Sequence, residues 1–370
     1  MRDMNISVGK KKRSKGWLGI LLVIILLLGT AYGIYVYKFK KNDKAVVSNQ
    51  ANVNKVKKVV EPELQIFKGN NRPIAVMIDN EKGAWPQAGL QDAYMIYELI
   101  VEGGQTRMMA IFKDKLPTKV GPIRSSRHYF VEYAMEQGAI YAHFGWSPKA
   151  EATIKSNNVN NINGIAYDGG KFWREGYGYH TAFTSLKNLK AIATEKGYVT
   201  TSTAASVYKY SAVEHNLKEG KEVTSIKLTY SPSHNTSYIY DATKKVFMRS
   251  MRGIKHVDRV TKEQYYAKNI IVMQAKNYTM GTSTDKGRQE IENEGTGTGY
   301  YLTNGKVINI TWKKESAKAK TYFYDLEGEE IVLNDGLTFV QVVPIENSVN
   351  ITYKEVPVQT QTTTNSTTNQ

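Results

Sequence analysis

The chain has 370 residues, a formal net charge of +16 and no cysteine. Its length allows one large domain or two modest ones, and the missing thiol excludes disulfides, thiolate metal sites and a cysteine nucleophile. Residues 1–58 carry 13 Lys/Arg against 2 acidic residues, whereas the rest carries 37 against 32. The excess charge therefore forms no basic stripe on the body, which argues against nucleic-acid binding.

The first element is an almost unbroken apolar run at residues 17–37, long enough to cross a bilayer as a helix. Four lysines and one arginine cluster at residues 10–15, which favours an N-terminus inside the cell. We therefore predict a cytoplasmic basic segment at 1–16, a transmembrane helix at 17–37 and an extracytoplasmic body. A cleaved signal peptide is the alternative, because small residues at 29–31 suit a cleavage site, although the apolar run continues beyond them.

Two segments lack any periodic pattern. Residues 38–66 are predicted to be a solvated linker, and residues 357–370, rich in Thr, Gln and Asn, a disordered tail. An exported chain without thiols is typical of a bacterial envelope, and we assign it to a Gram-positive-type bacterium.

The first part of the body alternates strand and helix signals. Apolar runs predict strands at 73–78, 94–101, 107–112 and 139–144, with hairpin chemistry between the second and third. Helices are predicted to begin after Ser125 or Ser126, after Ser147 and after Thr184. We therefore expect an α/β domain, a layered β-sheet with packed helices, at residues 67–210.

The second part, residues 211–356, is predicted to be a mainly β domain. Asn304-Gly305 between two strand-like runs is a strong hairpin signal, and a second hairpin is expected around Glu327-Gly328. The run at 338–343 is expected to be the closing strand.

Two glutamates, Glu98 and Glu102, are four residues apart, which places them on one face of either a helix or a strand. Among apolar neighbours their carboxylates need cationic partners or a shared proton. They are candidates for an acid/base pair or a polar ligand clamp. The alternative is a structural salt bridge to Arg107 or Arg124.

Three arginines, Arg107, Arg124 and Arg127, complement these acids. Arg124 and Arg127 flank the predicted start of a helix, where backbone N–H groups already attract anions. Together with Ser125, they are predicted to bind a carboxylate or phosphate of a ligand. A carboxylate from Glu98 or Glu102 would satisfy them equally well.

Further candidates lie at strand ends and in an irregular segment rich in Gly, Asn and aromatics. Asp79 and Asn80 end the first predicted strand, and His143 ends another, where open α/β sheets present ligands. Asp168 and His180 flank Trp and Tyr side chains that suit sugar rings. No metal-ligand spacing is present, so neither a metal nor a cofactor is expected.

The order of these motifs resembles that of the YerB-like family of bacterial envelope proteins. The resemblance rests on the run 72–80, on Tyr97-Glu98 followed by Glu102-Gly103-Gly104, on the run 121–127, and on Thr311-Trp312-Lys313-Lys314. It covers nearly all of residues 67–345 and implies a layered α/β part followed by a β-rich part, in a family of unknown function whose members are usually lipoproteins. It implies no catalytic residues, and this chain lacks the cysteine that would accept a lipid.

These observations predict a membrane-anchored extracytoplasmic protein that binds a cell-wall or other anionic glycan through its Glu/Arg cluster. One alternative is a cell-wall hydrolase with Glu98 or Glu102 as general acid, which would require two carboxylates suitably spaced across a glycosidic bond. The other is a non-catalytic partner of an envelope protein or a membrane complex, docking through an exposed apolar patch of the β-rich domain.

Overall fold

The computed structural model describes residues 62–202, 206–281 and 286–355. The predicted segments 1–16, 17–37 and 357–370 lie outside these ranges, as does most of the predicted linker. Within the described ranges, no helix is both long and apolar enough to cross a membrane.

The described chain is mainly β-structure with few helices. The strands of the first half are β1 (Ile74–Asp79), β2 (Met95–Ile100), β3 (Thr106–Phe112), β4 (Ile140–His143), β5 (Asn161–Asn163), β6 (Trp173–Arg174), β7 (Ala182–Phe183) and β8 (Lys209–Ser211). The strands of the second half are β9 (Lys221–Ser231), β10 (His234–Asp241), β11 (Val246–Met251), β12 (Ile254–Lys255), β13 (Tyr266–Ala267), β14 (Asn269–Thr279), β15 (Gln289–Glu292), β16 (Gly295–Thr303), β17 (Lys306–Lys314), β18 (Thr321–Tyr324), β19 (Val332–Asn334), β20 (Thr338–Pro344) and β21 (Val349–Tyr353).

The described helices all belong to the first half. They are α1 (His128–Glu136), α2 (Pro148–Ser156) and α3 (Leu186–Glu195), with short 3-10 turns at Lys82–Ala84, Leu90–Asp92, Glu102–Gly104 and Gly164–Tyr167. This matches the predicted contrast between a first half with packed helices and a mainly β second half.

One central sheet runs through both halves in the order β5-β4-β1-β3-β2-β20-β14-β16-β17-β18. Strand β20 lies between β2 and β14 and is parallel to both. The prediction that residues 338–343 form a closing strand is therefore wrong. All seven residues of β20 are buried, as expected for a central strand covered on both faces.

A second, antiparallel layer consists of β21, β9, β10, β11 and β13. It packs on the central sheet through aromatic contacts, for example between Tyr238 and Phe339, whose ring centroids are 5.8 Å apart. The buried residues of β9 alternate with exposed ones over much of its length, because one face meets the core and the other meets solvent.

The helix starts show which capping predictions were right. Ser147 caps α2, its hydroxyl accepting a hydrogen bond from Ala150 N, and Pro148 is the first helical residue, as predicted. Neither Ser125 nor Ser126 caps α1, which begins after Arg127. The Ser125 hydroxyl donates instead to Phe144 O, so it is not available to the helix. The third helix is capped by Ser185, one residue after the predicted Thr184.

Two of the three predicted hairpins with glycine turns form between named strands. Strands β2 and β3 are joined by Glu102–Gly104, and β16 and β17 by Asn304-Gly305, with positive φ at both turn residues, as a tight hairpin turn requires. Around Gly328 the pairing is reduced to a single bridge between Tyr324 and Glu330.

Candidate functional site

The ends of β1 and β3 bring acidic and basic side chains together. Asp79, the last residue of β1, is the cross-strand partner of Arg107 on β3. The segment that precedes α1 lies alongside β1, since Ile123 bridges to Ile78 and Arg124 N donates to Met77 O. Residues far apart in sequence therefore meet at one sheet end.

The first group, here called the Asp79 cluster, contains Asp79, Glu81, Arg124 and His180. Asp79 Oδ2 accepts from His180 Nδ1 at 2.7 Å and lies 3.3 Å from Arg124 Nε. Glu81 lies within 3.8 Å of Arg124 and of His180. Asp79 is fully buried, whereas the Arg124 and His180 side chains are partly exposed. A guanidinium and an imidazole therefore connect a buried carboxylate to the surface.

The second group, here called the Glu102 cluster, contains Glu102, Arg107, Arg127 and Arg288. Arg127 Nε donates to Glu102 Oε1 at 2.8 Å, Arg107 Nη2 lies 3.7 Å from Glu102 Oε2, and Arg288 Nε lies 3.8 Å from Glu102 Oε1. Arg107 and Arg127 also donate to the carbonyls of Ser125 and Ser126. Three guanidiniums thus surround one carboxylate.

The charges of the Glu102 cluster shift the pKa values of its members. Burial, followed by the charge of Arg127, lowers the pKa of Arg107 from 12.5 to about 10. Burial opposes ionisation of Glu102, but Arg107 and Arg127 outweigh it and lower the pKa of this carboxyl. Glu102 Oε2 and Arg107 Nε are buried and have no hydrogen-bond partner among the described residues. A ligand that offers an acceptor to Arg107 Nε and a hydroxyl donor to Glu102 Oε2 would satisfy both atoms.

An aromatic loop borders the Asp79 cluster. Tyr177 and Tyr179 are largely exposed, and the Arg124 guanidinium lies 5.6 Å from the centre of the Tyr179 ring. Gly176 and Gly178 have positive φ, which lets the loop turn back towards the cluster. Exposed tyrosine faces beside charged groups are suited to stacking against a sugar ring.

Glu98 lies elsewhere, in a wholly buried polar network here called the Glu98 network. Its Oε2 accepts from Arg249 Nη2 at 2.7 Å, and its Oε1 accepts from Asn80 and Thr106 at 3.0 and 2.8 Å. His234 Nε2 lies 3.5 Å from the same Oε1. Burial opposes ionisation of Glu98, but Arg249 reverses this and holds the pKa of the carboxyl below its ordinary value of 4.5. The salt-bridge interpretation thus holds for Glu98, with Arg249 as the partner rather than Arg107 or Arg124.

Glu98 and Glu102 have different partners because β2 ends at Ile100, so the strand alternation does not extend to Glu102. The sequence interpretation also missed Arg249, Arg288 and His234. The sequence did contain a signal for Arg249 and His234. Both are polar residues in half-buried strands, and the alternation of each strand places them on the face that packs against the core.

The other predicted residues are dispersed. His143 is buried at the end of β4, with Nδ1 2.9 Å from Gly145 O and Nε2 3.3 Å from Asn161 Oδ1, and burial lowers its pKa to about 4. Asp168 pairs with Arg174 at 2.8 Å near the surface. Asn80 belongs to the Glu98 network. In the described part of the chain no three His, Asp or Glu side chains are placed to hold a metal ion.

A larger cavity of about 910 Å³ lies in the second half, remote in sequence from every predicted site residue. Its walls include Leu217, Tyr301, Val307 and Tyr353. Leu326 on its rim is exposed.

Two family models match this chain. A protein of unknown function (DUF3048) N-terminal domain matches residues 61–199, and the corresponding C-terminal domain matches residues 226–340. The chain belongs to the DUF3048 family. The resemblance to the YerB-like family that the motifs indicated is confirmed, because this DUF3048 protein is 30% identical over 290 residues to "Putative lipoprotein YerB" of Bacillus subtilis (strain 168), covering 77% of this chain and 85% of the relative.

The fold of the DUF3048 protein is likewise similar to the crystal structure of the YerB protein from Bacillus subtilis. The TM-score is 0.69 at 28% sequence identity, and the match covers 79% of this chain and 97% of the other. The family is described as one of unknown function, so the arguments for a site rest on the geometry described above.

Proposed function

We propose that this DUF3048 protein is anchored at the outer face of the cell membrane and binds an acidic glycan of the envelope. The observation that carries the proposal is the Glu102 cluster, in which the buried guanidiniums of Arg107 and Arg127 meet Glu102 while Arg107 Nε finds no acceptor among the described residues. Arginine is well suited to binding a carboxylate or phosphate group of a ligand.

The neighbouring Asp79 cluster and its aromatic loop supply the contacts that a sugar needs. Arg124 and Arg127 are three residues apart, which limits the separation of their Cα atoms to about 10 Å. A ligand held by Arg127 can therefore extend towards Arg124, His180 and the exposed face of Tyr179. The buried carboxylate of Asp79 holds the Arg124 and His180 side chains in place, since it contacts both of them.

The proposed location has two supports. Residues 17–37 are apolar and are preceded by a basic cluster, and the similar protein of Bacillus subtilis is named a lipoprotein. Because this chain has no cysteine to accept a lipid, the apolar segment is the anchor that we propose for it.

Binding is favoured over hydrolysis by the state of the two glutamates. A general acid at neutral pH must retain its proton, but the pKa values of both Glu98 and Glu102 are lowered. Glu98 is also fully enclosed with Arg249. Neither carboxylate therefore fits the role of general acid, and the proposal assigns none to them.

The test is co-sedimentation of the full chain, kept in a sugar-based detergent, with purified cell-wall sacculi. Replacing Tyr179 by Ala leaves the buried core intact and is expected to weaken binding about tenfold. The control is Tyr353→Ala, since Tyr353 is a partly exposed tyrosine in the second half of the chain. Absence of binding by the unmodified chain, or equal binding by both variants, would refute the proposal.

A further inference from the structure

The cavity of about 910 Å³ in the second half of the chain is here called the second-half cavity. Its apolar walls come from separate segments: Leu217 precedes β9, Val307 lies on β17, Leu326 follows β18, Val332 begins β19 and Tyr353 ends β21. Its volume is in the range of about 300–1,000 Å³ that is typical of binding pockets. The second-half cavity is therefore large enough to hold several side chains.

Three large apolar side chains of this cavity reach solvent. Leu326 is 67% exposed, Tyr353 48% and Val332 36%, and all three line the cavity. Apolar side chains that lie together in water are unfavourable, and such a patch commonly marks a surface that another group covers. The second-half cavity has the properties of a surface of this kind.

Strand β21 directs the chain towards the second-half cavity. It pairs antiparallel with β9, and its last residue, Tyr353, lies opposite Val223. Just after the strand, Lys354 N donates to Glu222 O at 3.0 Å. Each further residue in this direction passes a position that is earlier in the sequence, so the continuing chain approaches residues 217–221. Most of these residues line the cavity.

The residues that follow the described part of the chain are suited to an apolar surface. Glu355 is the last described residue, and the sequence continues as Val356-Pro357-Val358 before twelve residues of Gln, Thr, Asn and Ser. An extended chain advances about 3.3 Å per residue, so these three residues can reach about 10 Å beyond Glu355. Because all three are apolar, an apolar side chain faces the cavity whichever face the extended chain turns towards it.

We propose that Val356-Pro357-Val358 occupies the second-half cavity of its own chain and covers Leu326, Val332 and Tyr353. A segment that the chain already leads to the cavity binds without the loss of translational freedom that a separate molecule incurs. Any other ligand of this cavity must first displace the segment. The inference is independent of the glycan proposal, and it takes residues 357 and 358 out of the tail that composition predicts to be disordered.

The first test is disulfide formation in the full chain, kept in detergent. The natural chain has no cysteine, so a pair of introduced cysteines reports a single contact. Val358→Cys/Leu326→Cys places one thiol in the segment and the other on the exposed rim of the cavity. A disulfide requires Cα atoms within about 7 Å of each other. Under mild oxidation we expect this variant to form an intrachain disulfide at least tenfold faster than its controls, as followed by mass spectrometry of the linked peptides.

Two matched controls each keep one cysteine of this pair. Thr367→Cys/Leu326→Cys moves the first thiol to the polar end of the chain, and Val358→Cys/Val199→Cys moves the second to an exposed valine of the first half. Tethering gives every residue of the tail some chance to reach the cavity, so the rates are compared rather than the final yields. Equal rates in the test variant and the Thr367 control would overturn the inference. A disulfide that joins two chains would also overturn it, since a second copy would then supply the segment.

A second test measures the contact without a covalent bond between the two sites. Val356→Asp/Val358→Asp puts two charges on the segment, which an apolar cavity excludes. In a chain that carries Leu326→Cys, this change should make the thiol react with a maleimide at least threefold faster, because reaction depends on exposure of the thiol. The control Thr362→Asp/Thr364→Asp adds the same charge farther along the chain and should leave the rate unchanged. Equal labelling rates in the two charged variants would overturn the inference.

Discussion

Glu98 on β2 and Arg249 on β11 form an ion pair in which neither side chain is exposed, with 2.7 Å between Glu98 Oε2 and Arg249 Nη2. The pair joins the first half of the chain to the second layer of the second half. Arg249 also hydrogen-bonds His256, and His256 hydrogen-bonds Gln87. Gln87 belongs to the first half of the chain, so this second set of contacts also connects the two halves. The arrangement is therefore a structural junction between the two halves.

Removing one member of this pair should destabilise the protein strongly. Arg249→Ala leaves the Glu98 carboxylate buried without its main cation, which typically costs about 3–5 kcal/mol. Chemical denaturation of the full chain measures the free energy of unfolding. The control Lys354→Ala breaks the exposed pair with Glu222 and should leave the free energy of unfolding almost unchanged, because solvent screens such a pair. A loss below about 1 kcal/mol in Arg249→Ala would contradict this role.

Glu98 should also make stability depend on pH on the acidic side. Its pKa in the folded state is below the ordinary 4.5, so the folded state binds fewer protons than the unfolded state. The contribution of Glu98 is therefore fully present above about pH 5. It is lost as the pH falls towards the folded pKa.

The measurement is the free energy of unfolding between pH 7 and pH 3, for the unmodified chain and for Glu98→Gln. Glu98→Gln should be less stable at pH 7 and should show a shallower decline as the pH falls. Parallel curves for the two proteins would argue against a lowered pKa at Glu98.

Glu136 of α1 and Lys314 of β17 form a second buried ion pair, and removing one of its members should also destabilise the protein. Their charged atoms are 2.7 Å apart and neither side chain is exposed. Lys314→Met alone should cost about 3–5 kcal/mol because it strands the Glu136 carboxylate. The double variant Lys314→Met/Glu136→Gln should recover part of that loss in a double-mutant cycle. Additive losses would show that the two groups are not coupled.

The paired glycines after β2 should respond differently to alanine. Both have positive φ, so either substitution strains the backbone by about 1 kcal/mol or more. A Cβ on Gly103 meets nothing within 4 Å, whereas one on Gly104 would lie 2.8 Å from Ser231 Cβ. Gly104→Ala should therefore lower the thermal midpoint more than Gly103→Ala. Adding Ser231→Gly to Gly104→Ala should remove the extra loss of thermal midpoint, because it removes the side chain that the new Cβ would contact. Equal thermal midpoints for the two single alanine variants would be inconsistent with the close contact.

Replacing Glu102 should distinguish a ligand site from a self-satisfied ion-pair network. In a ligand site Arg107 and Arg127 serve an external anion, so Glu102→Gln removes a competing carboxylate and should raise the affinity for purified cell-wall sacculi about threefold to tenfold. Glu315→Gln, which changes an exposed carboxylate, should have no effect. Co-sedimentation with sacculi measures both variants; an affinity that falls in Glu102→Gln would mean that the carboxylate itself organises the site.

Much of the local structure followed from residue patterns. Ser147-Pro148 marked the start of α2, and Asn304-Gly305 marked the β16–β17 hairpin, because both depend on backbone chemistry within a few residues. The first helix was placed correctly but its cap was not, because the Ser125 hydroxyl has a tertiary partner. Local preference does not reveal such competition.

The sequence by itself determined the strand and helix content, the family, and the proximity of Glu102 to Arg107 and Arg127, because a glycine turn and a short segment confine these residues. Only the tertiary structure decided that β20 lies at the centre of the sheet, that Arg249 takes Glu98 out of the candidate site, and that Arg288 lies beside Glu102. These contacts connect residues about 100 or more positions apart. Their partners are selected by burial and charge pairing across the whole fold, which no local pattern encodes.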